Sequence, residues 1–565
     1  QQMRRGLEQD YIIDYNRGEL TFTNRRLINK DSRIIVEFEY SDQNYLRSLY
    51  AVNTEYRQER FRFYANLFNQ QDSKTATGNQ ALSPEERRIL AAAGDDPTRA
   101  VAPGVDTLEE FNPLRAMYVW RDTLLPCGRR DTILDYSTDP AAARLTARFS
   151  FVGAGNGHYE LDEEQAANER VYRWVPPDPV TCAPRGAYAP VIQLTAPQQQ
   201  SLLTAGGEYR FSPSAAVRTE VALSRFDRNR FSPLDNEDDT GLALFTEFDK
   251  QFTLDPEARW KLSTALSYEF VQEHFQALNP YRDPEFLRNW SLADKQGRGA
   301  VAAAREQLLG TRLTLQHRDL GQLEYDLSAF LRDSLYSGWR HFARLQLRRG
   351  GLEVDGRSSW LSSAEPERRS RFVRPRLQIT QTVPWLGNWQ IGLYGEMEKN
   401  DRYDTLADTL SASSFFFHLL RSTLRSPAGA PYRLEVNYSR REDFLPQGDD
   451  FRSSTLANEF NLNGNWQPGR ALRLGGNFSY RQLQVDNPLS AGRSPAQTLL
   501  GRTDLGLNLL KGVLRGNTTY ELGSGQEPKL EFTFIRVNKG EGTHIWLDSL
   551  YNNDGVVQHN EMEVA

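Results

Sequence analysis

From about residue 205 the chain follows a period of two. Over 259–270, Trp260, Leu262, Thr264, Leu266, Tyr268 and Phe270 alternate with Arg259, Lys261, Ser263, Ala265, Ser267 and Glu269. A helix would scatter these two sets around its surface, whereas a strand sends them to opposite faces. Eleven such residues reach about 35 Å, enough to cross a bilayer at a tilt. The pattern returns where Leu323, Tyr325 and Leu327 alternate with Glu324 and Asp326, and where Trp389, Ile391, Leu393 and Met397 alternate with Glu396 and Glu398. It returns again where Tyr432, Leu434, Val436 and Tyr438 alternate with Arg433 and Glu435, and where Leu472, Leu474, Phe478 and Tyr480 stand against Arg473, Asn477 and Arg481.

The connections alternate in length. Short ones carry turn residues, as in Ser212-Pro213-Ser214, Leu254-Asp255-Pro256, Arg349-Gly350-Gly351, Pro427-Ala428-Gly429 and Leu510-Lys511-Gly512. Between them lie mostly longer polar stretches near 227–240, 272–305, 362–370, 399–411, 441–454 and 483–500. This counts to about eight hairpins, hence about sixteen strands. Short turns at one rim, long loops at the other and strands of about ten residues are the marks of a transmembrane β-barrel. Hydrocarbon offers the backbone no hydrogen-bond partner, so a sheet within it must close on itself. A large soluble β-protein also alternates, but its strands are usually about five or six residues long and need no aromatic ends. The predicted fold is all-β, a large antiparallel barrel with small β-modules at both ends. Its lipid-facing set is Trp260, Leu262, Leu266, Tyr268, Phe270, Leu323, Tyr325, Leu327, Tyr432, Leu434, Val436 and Tyr438. Its lumen-facing set is Arg259, Lys261, Glu269, Glu324, Asp326, Arg344, Arg348, Glu396, Glu398, Arg433 and Glu435. Mixed charge on the inner wall argues against strong ion selectivity.

Four regions follow. Residues 1–44 read as a partial β-module of three short strands, at Tyr11–Tyr15, Glu19–Thr23 and Arg33–Phe38. Residues 45–204 hold the first barrel strands with long loop insertions. These include a helix opening at Ser83-Pro84-Glu85-Glu86 and a further strand through Leu145, Ala147, Phe149 and Phe151. Residues 205–522 are the main run of hairpins. Residues 523–565 form a Gly/Asp-rich module whose Gly540–Asp548 stretch resembles Gly155–Asp162.

Composition narrows the function. Lys plus Arg is 68 against 74 Asp plus Glu, a net charge of -6, which gives no footprint for nucleic acid. No apolar run reaches the length of a membrane-spanning helix. No signal peptide opens the chain at Gln1-Gln2-Met3, and the ending at Val564-Ala565 reads as the middle of a motif, so a longer parent protein is expected. Cys127 and Cys182 both lie in loop-like stretches, and one disulfide or two free thiols fit equally. The seven histidines are scattered, with no H-E-x-x-H, G-x-S-x-G or phosphate loop, so no catalytic residue is assigned and no enzyme is expected. The one candidate cofactor is calcium. Asn552, Asp554, Gly555 and Glu561 fall at positions 3, 5, 6 and 12 of a calcium loop, with Leu550 where the first Asp belongs and Asp548 as its substitute. The acidic run Asp235-Asn236-Glu237-Asp238-Asp239 is a weaker candidate for divalent ions, and a solvated charge run is its simpler reading.

Two stretches resemble a known group. Asp10-Tyr11-Ile12-Ile13-Asp14-Tyr15-Asn16-Arg17-Gly18-Glu19-Leu20-Thr21-Phe22-Thr23, with Val36-Glu37-Phe38-Glu39-Tyr40, and the ending Asn560-Glu561-Met562-Glu563-Val564-Ala565 are similar to large outer-membrane barrel proteins of Bacteroidota-type bacteria. A fainter similarity runs to the translocon barrel of type IX secretion. The resemblance implies the outer membrane of a Gram-negative cell, contact with its bilayer lipids, and lipoprotein or secretion-system partners. The expected role is a conduit or scaffold for export or uptake. The alternative is a surface-exposed adhesion or envelope-structure protein without channel activity.

Overall fold

The computed structural model describes residues 2–6, 9–15, 18–23, 28, 32–38, 45–76, 82–162, 170–292, 303–469, 471–486, 495–509, 513–524, 544–546 and 562–564. Nineteen strands of the described residues form one antiparallel barrel. Eighteen are long, ten to seventeen residues each, and the nineteenth is the two-residue Thr409–Leu410. Sixteen of the long strands lie between Gln199–Ser212 and Leu514–Gly523, the number counted from the hairpin pattern. Two more, Tyr45–Arg57 and Phe61–Ala76, come earlier and join through the pairing of Phe61–Ala76 with Gln199–Ser212. The two strands at the ends of the pairing order, Tyr45–Arg57 and Leu514–Gly523, are the most exposed of the set.

Register keeps like with like. Leu262 faces Leu315, Leu315 faces Leu323 and Leu323 faces Leu345, so one surface of neighbouring strands is continuously apolar. On it Trp260, Leu266, Leu323, Tyr325, Tyr432 and Tyr438 are exposed, and Leu262, Tyr268, Phe270, Leu327, Leu434 and Val436 are half-buried. Large apolar side chains turned outward on every second position form a patch far beyond what a water-soluble surface carries. The opposite surface carries the charges. Arg259 departs from this scheme. It sits in the turn before Trp260–Val271 and pairs with Asp255 (3.4 Å) and Glu257 (3.1 Å), because the chain turns through Asp255–Ala258 after the strand ends at Thr253 and leaves it outside the wall.

The stretch between Phe61–Ala76 and Gln199–Ser212 is a small domain rather than a set of loops. Helix α1, Pro84–Ala93, starts with a reciprocal cap: Glu86 N–H donates to Ser83 Oγ (3.1 Å) and Ser83 N–H to Glu86 Oε2 (2.7 Å). Two four-stranded sheets follow, packed around Tyr118, Leu134, Leu145, Tyr159, Val171 and Tyr172. Tyr118 and Tyr159 bury their rings but keep their hydroxyls satisfied, accepting from the N–H of Tyr172 (3.0 Å) and of Leu134 (2.8 Å). Leu145–Ala147 and Ser150–Phe151 are short strands of these two sheets, not a barrel strand. Phe149 between them stacks on Tyr172 in the domain core. Cys127 and Cys182 are joined as a disulfide, with Cα atoms 5.6 Å apart. At the junction, Asp72 accepts from Gln198 N–H (3.1 Å) and pairs with Arg47 (2.7 Å).

The N-terminal hairpin forms, with Tyr11–Asp14 paired to Glu19–Phe22. The expected third strand does not: residues 32–38 carry no strand pairing among the described residues. Arg33 reaches Glu285 instead, at 2.9 Å. Asp548, Asn552, Asp554 and Glu561 lie outside the described residues.

Candidate functional site: an inward-folded segment

The inner wall is laid out by register. Tyr64, Gly206, Glu220, Phe245 and Glu269 stand side by side on five neighbouring strands. Farther round, Glu324, Arg344, Arg357, Arg376 and Glu396 make a second row, with three guanidinium groups on consecutive strands. Their partners are local. Asp326 pairs with Arg312 (2.9 Å), Arg344 with Asp355 (3.9 Å), Arg348 with Glu353 (2.9 Å) and Glu435 with Arg425 (2.9 Å), and Glu396 accepts from the Tyr394 hydroxyl (2.7 Å). Lys261 is half-buried on the same wall, in register with Gln316, and Arg433 is exposed opposite Asn465. Such pairs contribute about 0.2–1 kcal/mol each and chiefly solvate the wall. A cavity of about 760 Å³ opens along this row, bounded by Gln346, Asp355, Arg357, Arg376, Gln378 and Tyr394.

The connection after Val271 turns into this space. Gln272 exchanges hydrogen bonds with Leu242, its N–H donating to the carbonyl (2.9 Å) and its Oε1 accepting from the Leu242 N–H (3.1 Å). The chain then passes so close to Gly241 that a Cβ there would lie 2.2 Å from the Phe275 backbone nitrogen. Arg282 bridges Glu269 (2.7 Å) and Glu306 (2.8 Å) while lying 4.1 Å from the Phe286 ring centroid. A single turn, α2 at Phe286–Asn289, aims Arg288 at Glu398 and offers Asn289 Oδ1 to Arg374 (2.7 Å). Trp290 and Leu292 are fully buried against Phe330, Tyr336, Leu361 and Phe372. The Tyr336 hydroxyl donates to the Trp290 carbonyl (2.7 Å), and Asn400 and Arg402 donate to Ser291 Oγ (3.2 and 3.3 Å).

Residues 272–292 therefore cross the inner wall from the strand ending at Val271 to Trp389–Asp404, six strands away. Six strand spacings are about 29 Å of wall. Beneath the segment's first half a cavity of about 520 Å³ remains, lined by Tyr64, Arg218, Glu220, Phe245, Phe275 and Tyr281 among others. The arrangement has the chemistry of an obstruction: aromatic anchors at the far end, and ion pairs that water can replace along the way.

Glu269 and Glu398, assigned to the lumen from alternation, both meet this segment. From the sequence pattern its arginines and aromatics belong to a long polar loop. The signal was there, since Phe275, Tyr281, Phe286 and Trp290 are a high aromatic load for a solvated connection. The strand histidines do not gather. His341 shares a 2.8 Å hydrogen bond with Tyr325 on the outward face, and His418 lies 3.4 Å from Glu442.

Gly241→Val tests the close approach. The side chain cannot coexist with the Phe275 backbone, so docking of 272–292 must weaken. A cost of about 1.4 kcal/mol already raises the undocked population tenfold. Trypsin should then cleave after Arg282 and Arg288 about tenfold faster than in the parent, and an unchanged rate would contradict the docking described.

Compared with known proteins, residues 1–42 match the model of a domain of unknown function, DUF8818. No curated protein matches the chain. Solved structures with some likeness include two mutants of the ferric enterobactin receptor of Pseudomonas aeruginosa in complex with enterobactin. Their identities are 9% and 10%, each with a TM-score of 0.31, covering 84% of this chain and 72% of that one. The siderophore receptor PirA of Acinetobacter baumannii has 8% identity and a TM-score of 0.30, covering 82% of this chain and 71% of that one.

Proposed function

We propose that this chain is an outer-membrane barrel of a Gram-negative envelope that works as a conduit for export or uptake, obstructed at rest by residues 272–292. The observation that carries the reading is the inner wall. Arg344, Arg357 and Arg376 stand in one row on the inner wall, Arg357 and Arg376 bordering an open cavity, while a separate segment runs across that wall as far as Trp389–Asp404. The three guanidinium groups lie between Glu324 and Glu396, with Asp355 near Arg344 (3.9 Å) and Arg357 (3.7 Å), a charged lining that a water-filled path uses and a wall serving only as an anchor does not. The bilayer address is supported by the outward apolar face. The resemblance of Asp10–Tyr40 to envelope barrels makes a lipoprotein or secretion component the partner class this reading proposes.

The test is ion selectivity. The full chain in planar bilayers should give conductance steps, and Arg357→Glu with Arg376→Glu should move the reversal potential in a salt gradient toward cation selectivity. Absence of conductance, or a reversal potential indifferent to both changes, would favour a structural or adhesive envelope protein instead.

A further inference from the structure

A second site lies away from the lumen, where the inserted domain meets the long-loop rim. Helix α1 ends at Gly94, whose φ of 66° breaks the helix. The loop between strands Ala215–Asp227 and Thr240–Thr253 wraps that end. Asn229 Nδ2 donates to the carbonyls of Leu90 (2.8 Å) and Gly94 (2.6 Å), and Ser232 Oγ donates to that of Ala91 (2.9 Å). Phe231 packs against the cluster of Leu90, Ala93 and Ala102. Locked in this way, the two segments bring together carboxylates from distant parts of the sequence. One oxygen each of Asp95, Asp238 and Asp239 lies within 4.8 Å of the others.

The surroundings make this arrangement costly for the protein alone. Asp95 follows directly on the C-terminal, negative end of α1. Asp235 lies over Gly94, where a Cβ would fall 2.1 Å from its Oδ2. Two arginines are near. Arg225 Nε is 3.9 Å from Asp239 Oδ2, too far for a hydrogen bond, and Arg228 acts on Asp95 from a distance. The decisive residue is Asp239, only 3% exposed, with neither carboxylate oxygen holding a hydrogen-bond partner. Buried carboxylates are normally hydrogen-bonded, paired or bound to a metal.

We propose that Asp95, Asp238 and Asp239 bind a hard divalent cation of the calcium class, which clamps the inserted domain to the barrel rim. The donors are all carboxylate oxygens, with no imidazole or thiolate to favour a softer metal. The three oxygens lie within 4.8 Å of one another, within the separation of roughly 5 Å that two ligands of one calcium ion at roughly 2.3–2.6 Å can span. Asn229 and Ser232 hold the loop to the helix by bonds that do not use these carboxylates, so the donors are preorganised. The site is independent of the conduit reading.

The experiment is calorimetric titration of the full chain in detergent, stripped with chelator, using calcium chloride. The expected result is a binding site whose dissociation constant rises roughly tenfold or more in Asp95→Asn with Asp239→Asn. Asp554→Asn separates it from any site near the C-terminus and should leave it in place. Calcium should also slow tryptic cleavage after Arg87 and Arg88 of α1 in the parent and not in the double variant. If the double variant loses the heat-resistant mobility of a folded barrel, Asp238→Asn, at an exposed ligand, carries the same test. Equal titrations for parent and variants, or cleavage indifferent to calcium, overturn the proposal.

Discussion

A barrel lacking residues 276–290 will conduct ions several-fold better than the intact chain in planar bilayers. The ends left by the deletion are easily rejoined, since Val271 and Glu306 face each other on paired strands. The wall itself loses no strand and no ladder hydrogen bond. What it loses is the contents of the lumen across six strands, and an antiparallel barrel of about sixteen to eighteen strands without such contents has an aqueous channel. Glu269 and Glu398 lose Arg282 and Arg288 but gain water, and Glu306 keeps Arg332 at 2.9 Å, so the deletion costs less than leaving the carboxylates paired with nothing in a dry site. Single changes should act by degree. Trp290→Ala empties a fully buried aromatic site, a change worth about 3–5 kcal/mol in a well-packed core, and should give intermittent openings. Arg282→Ala releases only the near end, where water can take over, and should give a smaller rise. A deletion variant that keeps the mobility of a folded barrel and the parent's conductance would show that the segment does not obstruct the path.

The sequence made the barrel legible because hydrocarbon enforces a strict code on one side of every strand. Where that enforcement stops, so does the signal. On Trp389–Asp404 the outward positions run Trp389, Ile391, Leu393, Gly395 and Met397, then Lys399 and Asp401. On the neighbouring strand Arg371 is paired with Asp401 at the same level. Above this line the ladder continues to Asp404, but both faces are polar, so 399–411 reads as a loop. Tyr432–Gln447 and Asp450–Trp466 are longer than their alternation suggests for the same reason. The inserted domain was hidden by a different cause. Its strands are two to eight residues long, too short for a period to show, and its core depends on contacts such as Tyr118 with Tyr172, fifty-four positions apart. The inward turn of 272–292 and the meeting of Asp95 with Asp239 are likewise products of tertiary approach. Periodicity says which face a residue takes within a strand. It says nothing about where a connection goes once it leaves the strand.

That same boundary predicts the largest effect on stability. Nine residues from Trp389 to Met397 rise about 30 Å along the strand, and a tilt of about 40° reduces this to roughly 23 Å, close to the ~25 Å apolar band of outer-membrane barrels. Leu393 is at its centre, 58% exposed on the outward face, between Ile379 and Ser422. Leu393→Arg should destabilise the folded barrel in lipid by about 2–4 kcal/mol, the cost of an arginine at the midplane. The control is Thr380→Arg, one position along the paired strand and turned to the cavity beside Tyr394, where the same side chain meets water and should cost little. Denaturant titration in lipid vesicles reads the difference. Moving the arginine to Lys399's level, where charge is already tolerated, should remove most of the penalty, because the cost falls with distance from the midplane. Equal stability for Leu393→Arg and Thr380→Arg would mean that both faces see water, and the outward leucines, tyrosines and tryptophans would need another covering than a bilayer.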